Sequence, residues 1–410
     1  MRQISDLSVD ASPRIVMVAN ARIPSERAHP LQIMHMAAGF ASGGATVLLA
    51  YARRANTEAM RSVSDPFKYA GVPRVFALVG LPTVDAIKRV TIDWPVLNHG
   101  PIRLVAHLLQ LWSFAVAALT VVRRWKPHVV YSRDLLPLTV LRLLLGQPAR
   151  FCFEVHTVPR SRLSAALHLW AARRMDAVIA ITEGLQRWYI NAGFDRERLL
   201  VAPDAVDIRA FASRDRGDAR SKLGIPGDAP LVCYLGHLYP WKGVDTLVEA
   251  ARQAESDVQW VIVGGISPDL DRIRATAADL PNVHVTGHLP PEEARQYLVA
   301  ADVAVVPFSA RQIISREHTS PLKLFEYMAA ERPIVASDLP SLREVLHDER
   351  NALLVAPDHP NALAAAVTRL LTDSALAARL AQAARLEVES RTWTKRAAAV
   401  REFLESTPTS

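Results

Sequence analysis

In the run His318-Thr319-Ser320-Pro321-Leu322-Lys323-Leu324-Phe325-Glu326, Ser320 is a good helix N-cap. Pro321 suits a first helical position, where a missing N–H costs nothing. The free amides of Leu322 and Lys323 would then point out of the helix start with the helix dipole behind them, which favours an anion. Lys323 adds a full positive charge. Glu326 lies a turn further on, near the face of Lys323, and its carboxylate can accept two hydroxyl hydrogen bonds. A phosphate at the helix mouth with a diol beside it is the chemistry of a nucleotide sugar. Taken alone, the same residues describe equally well an ordinary capped helix with a solvated Lys–Glu pair.

A second anchor is Leu231-Val232-Cys233-Tyr234-Leu235-Gly236-His237-Leu238-Tyr239-Pro240-Trp241-Lys242-Gly243-Val244-Asp245. A strand should end at Gly236, which lets backbone come close to a ligand, and a helix should start near Val244. Lys242, just before that start, can reach a phosphate there. The loop lacks the glycine spacing of a P-loop, and no dinucleotide fingerprint occurs. Together with Ser320–Lys323 it supplies two cation-bearing helix starts in one domain, which suits a diphosphate.

These loops need a scaffold. Apolar strand-sized runs alternate with helical patterns almost throughout, which predicts an α/β protein with parallel sheets. The first half offers strands at Ile15–Ala19, Thr46–Tyr51, Arg74–Val79, His128–Ser132, Arg150–Val155, Ala177–Thr182 and Leu199–Ala202. The second offers Leu231–Gly236, Gln259–Gly264, Val283–Gly287, Val303–Pro307, Ile334–Ser337 and Ala352–Val355. Arg27–Phe40 reads as a helix closed by Gly43-Gly44. A polar stretch over Asp207–Pro230 marks the break between two doubly wound domains whose strand ends meet at a cleft. A 410-residue chain is long enough for two cores. Its expected units are residues 1–206, residues 207–390, and a terminal helix within residues 391–410.

Two cysteines, Cys152 and Cys233, sit in apolar strand-like runs as buried thiols without metal-ligand spacing. Neither a metal nor another cofactor is expected. The net charge of +7 is unevenly spread: residues 1–205 carry 25 Lys/Arg against 14 Asp/Glu, and residues 206–410 carry 23 against 27. A basic first half suggests an acidic partner, such as an anionic membrane surface or a phosphorylated lipid. No basic run is interleaved with aromatics, so nucleic acid is not expected. Met1–Pro13 is too polar for a signal peptide. Leu104–Val122 has the length of a membrane span, but its polar His107 and Gln110 and its Arg-rich end point instead to a buried helix on a sheet. The expected location is cytoplasmic, with peripheral attachment to the inner face of a membrane.

The ordered segments Gly236–Gly243, Val261–Gly265, Asn282–Gly287, Ala300–Val303 and Ser320–Ser337 resemble, in order and spacing, the C-terminal domain of retaining GT-B glycosyltransferases of the family 4 type. Phe153-Glu154-Val155-His156 and Val201–Asp207 sit where that family has its central histidine strand and interdomain turn. The resemblance implies two Rossmann-like domains and transfer of a sugar from a nucleotide-diphosphate donor to a glycan or lipid-linked acceptor, in cell-surface polysaccharide or glycolipid synthesis. It places Lys242 on the diphosphate, with Gly236, His237, Gly265 and Ser320 around the donor. Leu322 and Lys323 fall on the phosphates, Glu326 on the ribose, and His156 beside the sugar. It also implies that the terminal helix crosses back to the first domain.

Three departures stand out. His237 occupies a position where the family usually has Arg. The first of the family's two glutamates is replaced by His318, with Glu317 one place away. The N-terminal glycine loop is replaced by Asn20–Pro30, where Ser25, Arg27 and His29 are the polar candidates for the acceptor. Two other readings remain open from the sequence: an epimerase of the same fold acting without an acceptor, and a non-catalytic nucleotide-sugar-binding protein.

Overall fold

The computed structural model describes residues 12–85, 100–146, 148–211, 215–255 and 257–407. Residues 1–11, where a leader was not expected, lie outside them. Seven strands form one parallel sheet: β1 (Arg14–Ala19), β2 (Thr46–Arg53), β3 (Ala77–Pro82), β4 (Val129–Ser132), β5 (Arg150–Val155), β6 (Ala177–Ala180) and β7 (Leu199–Val201). Their order is β3-β2-β1-β4-β5-β6-β7. Six more form a second parallel sheet: β8 (Leu231–Leu235), β9 (Gln259–Val263), β10 (Val283–Gly287), β11 (Val303–Val306), β12 (Ile334–Ser337) and β13 (Leu353–Val355). Their order is β10-β9-β8-β11-β12-β13. In both sheets the order reverses beside the first strand, and that switch point opens a crevice at the carboxyl ends of the strands.

The strand assignments differ from the sequence-based ones by a residue or two, except β3, which starts at Ala77 rather than Arg74. Val75 there is exposed, because the chain enters this edge strand late. Central strands such as β4, β6, β11 and β12 are buried along their whole length, which explains their continuous apolar runs. Each fully buried Val or Ile contributes about 1.5–3 kcal/mol relative to exposure. Flanking helices take the 3.6-residue period instead. In Val244–Gln253, the buried Val244, Leu247, Val248 and Ala251 form one stripe against the sheet.

In the first domain the helix Ala28–Ser42 packs on one face of the sheet, and Gly100–Trp125, Leu135–Leu144 and Arg162–Ala172 on the other. Gly100–Trp125 packs on the sheet as expected of Leu104–Val122 but is covered on one side only. Phe114, Ala115, Ala118 and Val122 are buried on the sheet, while Leu104, Val105, Leu108, Leu109, Trp112 and Val116 are exposed. The polar break at Asp207–Pro230 is also more ordered than its composition suggests. It contains the helix Arg216–Leu223, and buried Arg220 ties this helix to the second domain through Asp302 (2.7 Å) and the carbonyls of Ala300 (2.9 Å) and Pro226 (2.7 Å).

The chain crosses between domains twice, and the crossings lie side by side: Val206 pairs with Thr392, and the Val206 amide donates to Arg391 O (3.0 Å). Beyond this point the helix Trp393–Ser406 lies against Ala28–Ser42 of the first domain. Gly39 permits the approach, since a Cβ there would fall 2.6 Å from the Trp393 carbonyl oxygen.

Candidate functional site

A cleft of about 400 Å³ lies between the two sheets. On the second domain's side, β8 is followed directly by Gly236, whose φ of +126° few side chains adopt. Lys323 lies against it, with Nζ 3.4 Å from where a Gly236 Cβ would stand. Lys323 Nζ sits 3.5 Å from the Tyr234 ring centre, and Lys242 Nζ lies 3.9 and 4.2 Å from those of Trp241 and Phe308. Aromatic faces solvate an ammonium only in part, and Lys323 Nζ has no hydrogen-bond partner. Burial therefore lowers both pKa values, Lys242 to about 7 and Lys323 well below the usual lysine range, with Lys242's charge pushing Lys323 further. Two desolvated amines in an aromatic cradle, each able to take up a proton when a polyanion arrives, form a strong site for one.

Glu326 lies a turn along the helix Leu322–Ala329. Burial raises its pKa, while Arg295 and Lys323 draw it back part of the way. Arg295 Nε stands 3.8 Å from Glu326 Oε1. His318 lines the cleft, buried, with Nδ1 unpartnered and its pKa lowered by burial. His237 also lines it, stacked on Tyr239. Burial, then the charge of Lys242, push its pKa down to about 4, so at neutral pH it carries no charge. Lys323, rather than His237, is therefore the group placed to supply a second positive charge beside Lys242 once a polyanion is bound.

The first domain supplies His156, just past the end of β5. Its Nε2 lies 2.5 Å from Glu154 Oε1. Burial, then Arg133, depress its pKa to about 4, leaving a neutral imidazole at the cleft. Glu154 is fully buried and takes bonds from Gln32 Nε2 (2.7 Å), Tyr131 OH and Arg396 Nη2 (2.8 Å). Burial alone would raise its pKa, but Arg396 and His156 hold it well below the usual range. Arg396 comes from the terminal helix and also donates to Pro203 O (2.7 Å) and Ala202 O (2.9 Å). Asp204, buried beside this cluster, has an unpartnered Oδ1 and a pKa raised by burial to about 6.

Of the residues singled out from sequence, His29, His156, Gly236, His237, Lys242, Gly265, His318, Ser320, Leu322, Lys323 and Glu326 all line the cleft. Ser25 and Arg27 do not: buried Ser25 accepts the Arg27 amide (3.3 Å) in the turn before the helix Ala28–Ser42. Ser320 is not the N-cap. Pro321 takes that position, and Ser320 Oγ accepts the Asp204 amide (2.9 Å) across the domain boundary. Between His318 and Glu317, the cleft side goes to His318. Glu317 pairs with Arg187 (3.0 Å), and its carbonyl accepts Thr182 Oγ1 (2.7 Å). Sequence reasoning passed over Arg295, Asp204 and the charge of Glu154. For Glu154 a signal existed, since a carboxylate inside an apolar strand must have a buried partner.

Two facing Rossmann-like domains around a cation-lined cleft define the GT-B fold. The solved structures agree. Anabaena HepE in complex with UDP and glucose superposes with a TM-score of 0.73 at 17% identity, covering 96% of this chain and 100% of that one. Sucrose-phosphate synthase from Thermosynechococcus elongatus also gives 0.73, at 20% identity, covering 96% and 98%. Family models match consecutive parts of the chain: Glycosyltransferase Family 4 over residues 32–210 and Glycosyl transferases group 1 over residues 229–373. The chain belongs to the GT-B glycosyltransferases of the family 4 type. Among curated proteins, a D-inositol 3-phosphate glycosyltransferase of Xylanimonas cellulosilytica is 33% identical over 241 residues, 55% of each chain. The alpha-maltose-1-phosphate synthase of Mycolicibacterium smegmatis is 26% identical over 332 residues, 74% of this chain and 80% of that one. The chain spans about half the length of the first of these relatives.

Proposed function

We propose that the protein is a retaining glycosyltransferase that moves a sugar from a nucleotide-diphosphate donor to an acceptor held by the first domain. The observation that carries this reading is the pair of desolvated lysines, Lys242 and Lys323, at a helix start beside the glycine turn of Gly236. A diphosphate placed there meets two cations and the first amides of Leu322–Ala329, with Glu326 a turn away for the ribose diol. Charge grows on the diphosphate as the glycosidic bond breaks, so these fixed cations act most strongly in the transition state. They supply the positive charge that a metal ion would otherwise bring, which supports a metal-independent reaction.

The sugar would lie between His318 and neutral His156, with the acceptor entering along His29. Neither histidine is placed as a nucleophile. Front-face transfer, with the leaving phosphate receiving the acceptor's proton, suits a site whose charge is concentrated on the phosphate side. The HepE structure holds UDP and glucose, which supports a nucleotide-sugar donor for the same fold. The acceptor class we propose is a glycan or a lipid-linked sugar, met at the cytoplasmic side of a membrane.

The test is a screen of nucleotide sugars by thermal shift, followed by turnover with sugar-phosphate, oligosaccharide and lipid-linked acceptors in the presence of EDTA. Acceptor-dependent release of nucleotide diphosphate, with the anomeric configuration kept, supports the reading. Turnover of the donor without acceptor would replace it with epimerisation, and tight binding without any turnover would replace it with a binding protein.

A further inference from the structure

Twelve of the seventeen large apolar side chains exposed among the described residues lie on three helices of the first domain, Gly100–Trp125, Leu135–Leu144 and Arg162–Ala172. The three are neighbours in one layer on one face of the sheet, so their outer surfaces form a continuous face. On the first helix Leu104, Leu108, Trp112 and Val116 recur every fourth residue, with Val105 and Leu109 alongside. On the third, Leu163, Leu167 and Trp170 share a face, and Leu163 is 73% exposed. Single exposed leucines are ordinary, but a contiguous apolar face of this extent marks a contact surface.

Charge identifies the occupant. None of the three helices contains Asp or Glu. Exposed Arg124, Lys126, Arg160, Arg162 and Arg173 border the face. A second copy of the chain would bring this basic rim against itself. A membrane span through Gly100–Trp125 would tear Phe114, Ala118 and Val122 from the sheet. An apolar face with a cationic rim and two half-exposed tryptophans instead matches the boundary of an anionic bilayer. We propose that this three-helix face docks on an anionic lipid bilayer, with its leucines and tryptophans entering the acyl boundary and its arginines meeting headgroup phosphates.

The position of the face fits the cleft. Leu135–Leu144 and Arg162–Ala172 start just after β4 and β5, at the strand ends that open into the cleft, and Gly100–Trp125 begins at that same edge before running back to β4. Docking therefore sets the cleft mouth beside the bilayer. This contact is led by apolar insertion, unlike the charge-led attachment expected from composition. Trp125 packs inward on the core, and Arg54 pairs with Asp85 (3.8 Å) away from the face. The inference stands apart from the proposed reaction, because docking needs neither donor nor acceptor.

The full chain is to be co-sedimented, without substrates, with vesicles of mixed phosphatidylglycerol and phosphatidylcholine and with vesicles of phosphatidylcholine alone, at low and high salt. The wild type should bind the mixed vesicles, keep a measurable part of that binding at high salt, and bind neutral vesicles weakly. Leu108→Glu with Leu163→Glu should weaken binding by about tenfold or more per leucine, with unfolding temperature and donor affinity unchanged. Quenching of tryptophan emission by brominated lipid should drop in Trp112→Phe with Trp170→Phe. Absence of wild-type sedimentation, equal binding to neutral vesicles, or a Glu variant that binds like wild type would overturn the proposal. So would a wild-type dimer that the Glu variant converts to monomer with vesicle binding intact.

Discussion

At the scale of single residues the site rests on two lysines that burial makes reluctant to hold a proton. In the proposed reaction Lys242→Ala removes a cation acting on the leaving group and should slow turnover on the order of 30- to 1000-fold, about 2–4 kcal/mol, with little change in unfolding temperature. Steady-state kinetics with matched thermal melts checks this, and near-normal turnover would exclude Lys242 from the reaction. The lysine also fixes the pH response. With its pKa at about 7 in the free protein, donor binds a cation already charged at lower pH. At higher pH each bound diphosphate must bring a proton with it. Affinity for an intact donor should therefore fall at least about tenfold per pH unit above pH 7, since Lys323, its own pKa well depressed by burial, must also be charged when the donor is bound. Calorimetry at pH 8 in buffers of different ionisation enthalpy should reveal proton uptake, and a flat profile would sink the idea. Glu326→Gln keeps shape but weakens the acceptor proposed for the ribose, so donor affinity should fall by about 1.5–3 kcal/mol in the same calorimeter.

At the scale of elements the terminal helix Trp393–Ser406 does more than close the chain. Its Arg396 neutralises Glu154 inside the first domain, and Glu154 in turn orients His156. Arg396→Met strands a buried carboxylate and should cost about 3–5 kcal/mol in urea denaturation. The sign with pH follows from Glu154. Because its folded pKa lies below the unfolded 4.5, the pair's stabilisation is present above pH 4.5 and lost as the pH falls through the folded value. In Arg396→Met the freed carboxylate favours its proton, so that acid-side loss should shrink. A variant with wild-type stability at neutral pH would show that the pair contributes nothing net.

At the scale of the molecule, the two domains are held in register by contacts around Gly184, where a Cβ would fall 2.4 Å from the Glu317 carbonyl oxygen. Thr182 donates to that same carbonyl, and Glu344 of the second domain accepts the Glu183 amide (2.9 Å). Gly184→Val must push the domains apart. The contacts proposed for the donor's diphosphate and ribose, Lys242, Lys323 and Glu326, all lie in the second domain, so most of the donor affinity should hold. Turnover, which needs the first domain in place, should drop on the order of 100-fold. Equal losses in affinity and turnover would show instead that the first domain's side of the sugar site, at His156, carries much of the donor binding.

Alternating strand and helix patterns, the two-domain architecture and the Lys323–Glu326 side of the cleft were legible because each is local. A strand needs its own apolar run, and Lys323 and Glu326 meet through one turn of one helix. Side chains with partners far along the chain were not. Glu154 and Arg396 are 242 residues apart, and Arg295 reaches Glu326 from another helix. Ser320 looked like a cap by residue type, yet its hydroxyl went to an amide of the other domain. The helix Gly100–Trp125 shows the limit most clearly, because it is apolar nearly all round. Sequence alone determined that it would be a helix, and only the tertiary structure decided which side the sheet covered. The reason is physical: periodicity reports the local shape of a segment, while burial depends on which surfaces the folded chain brings against it.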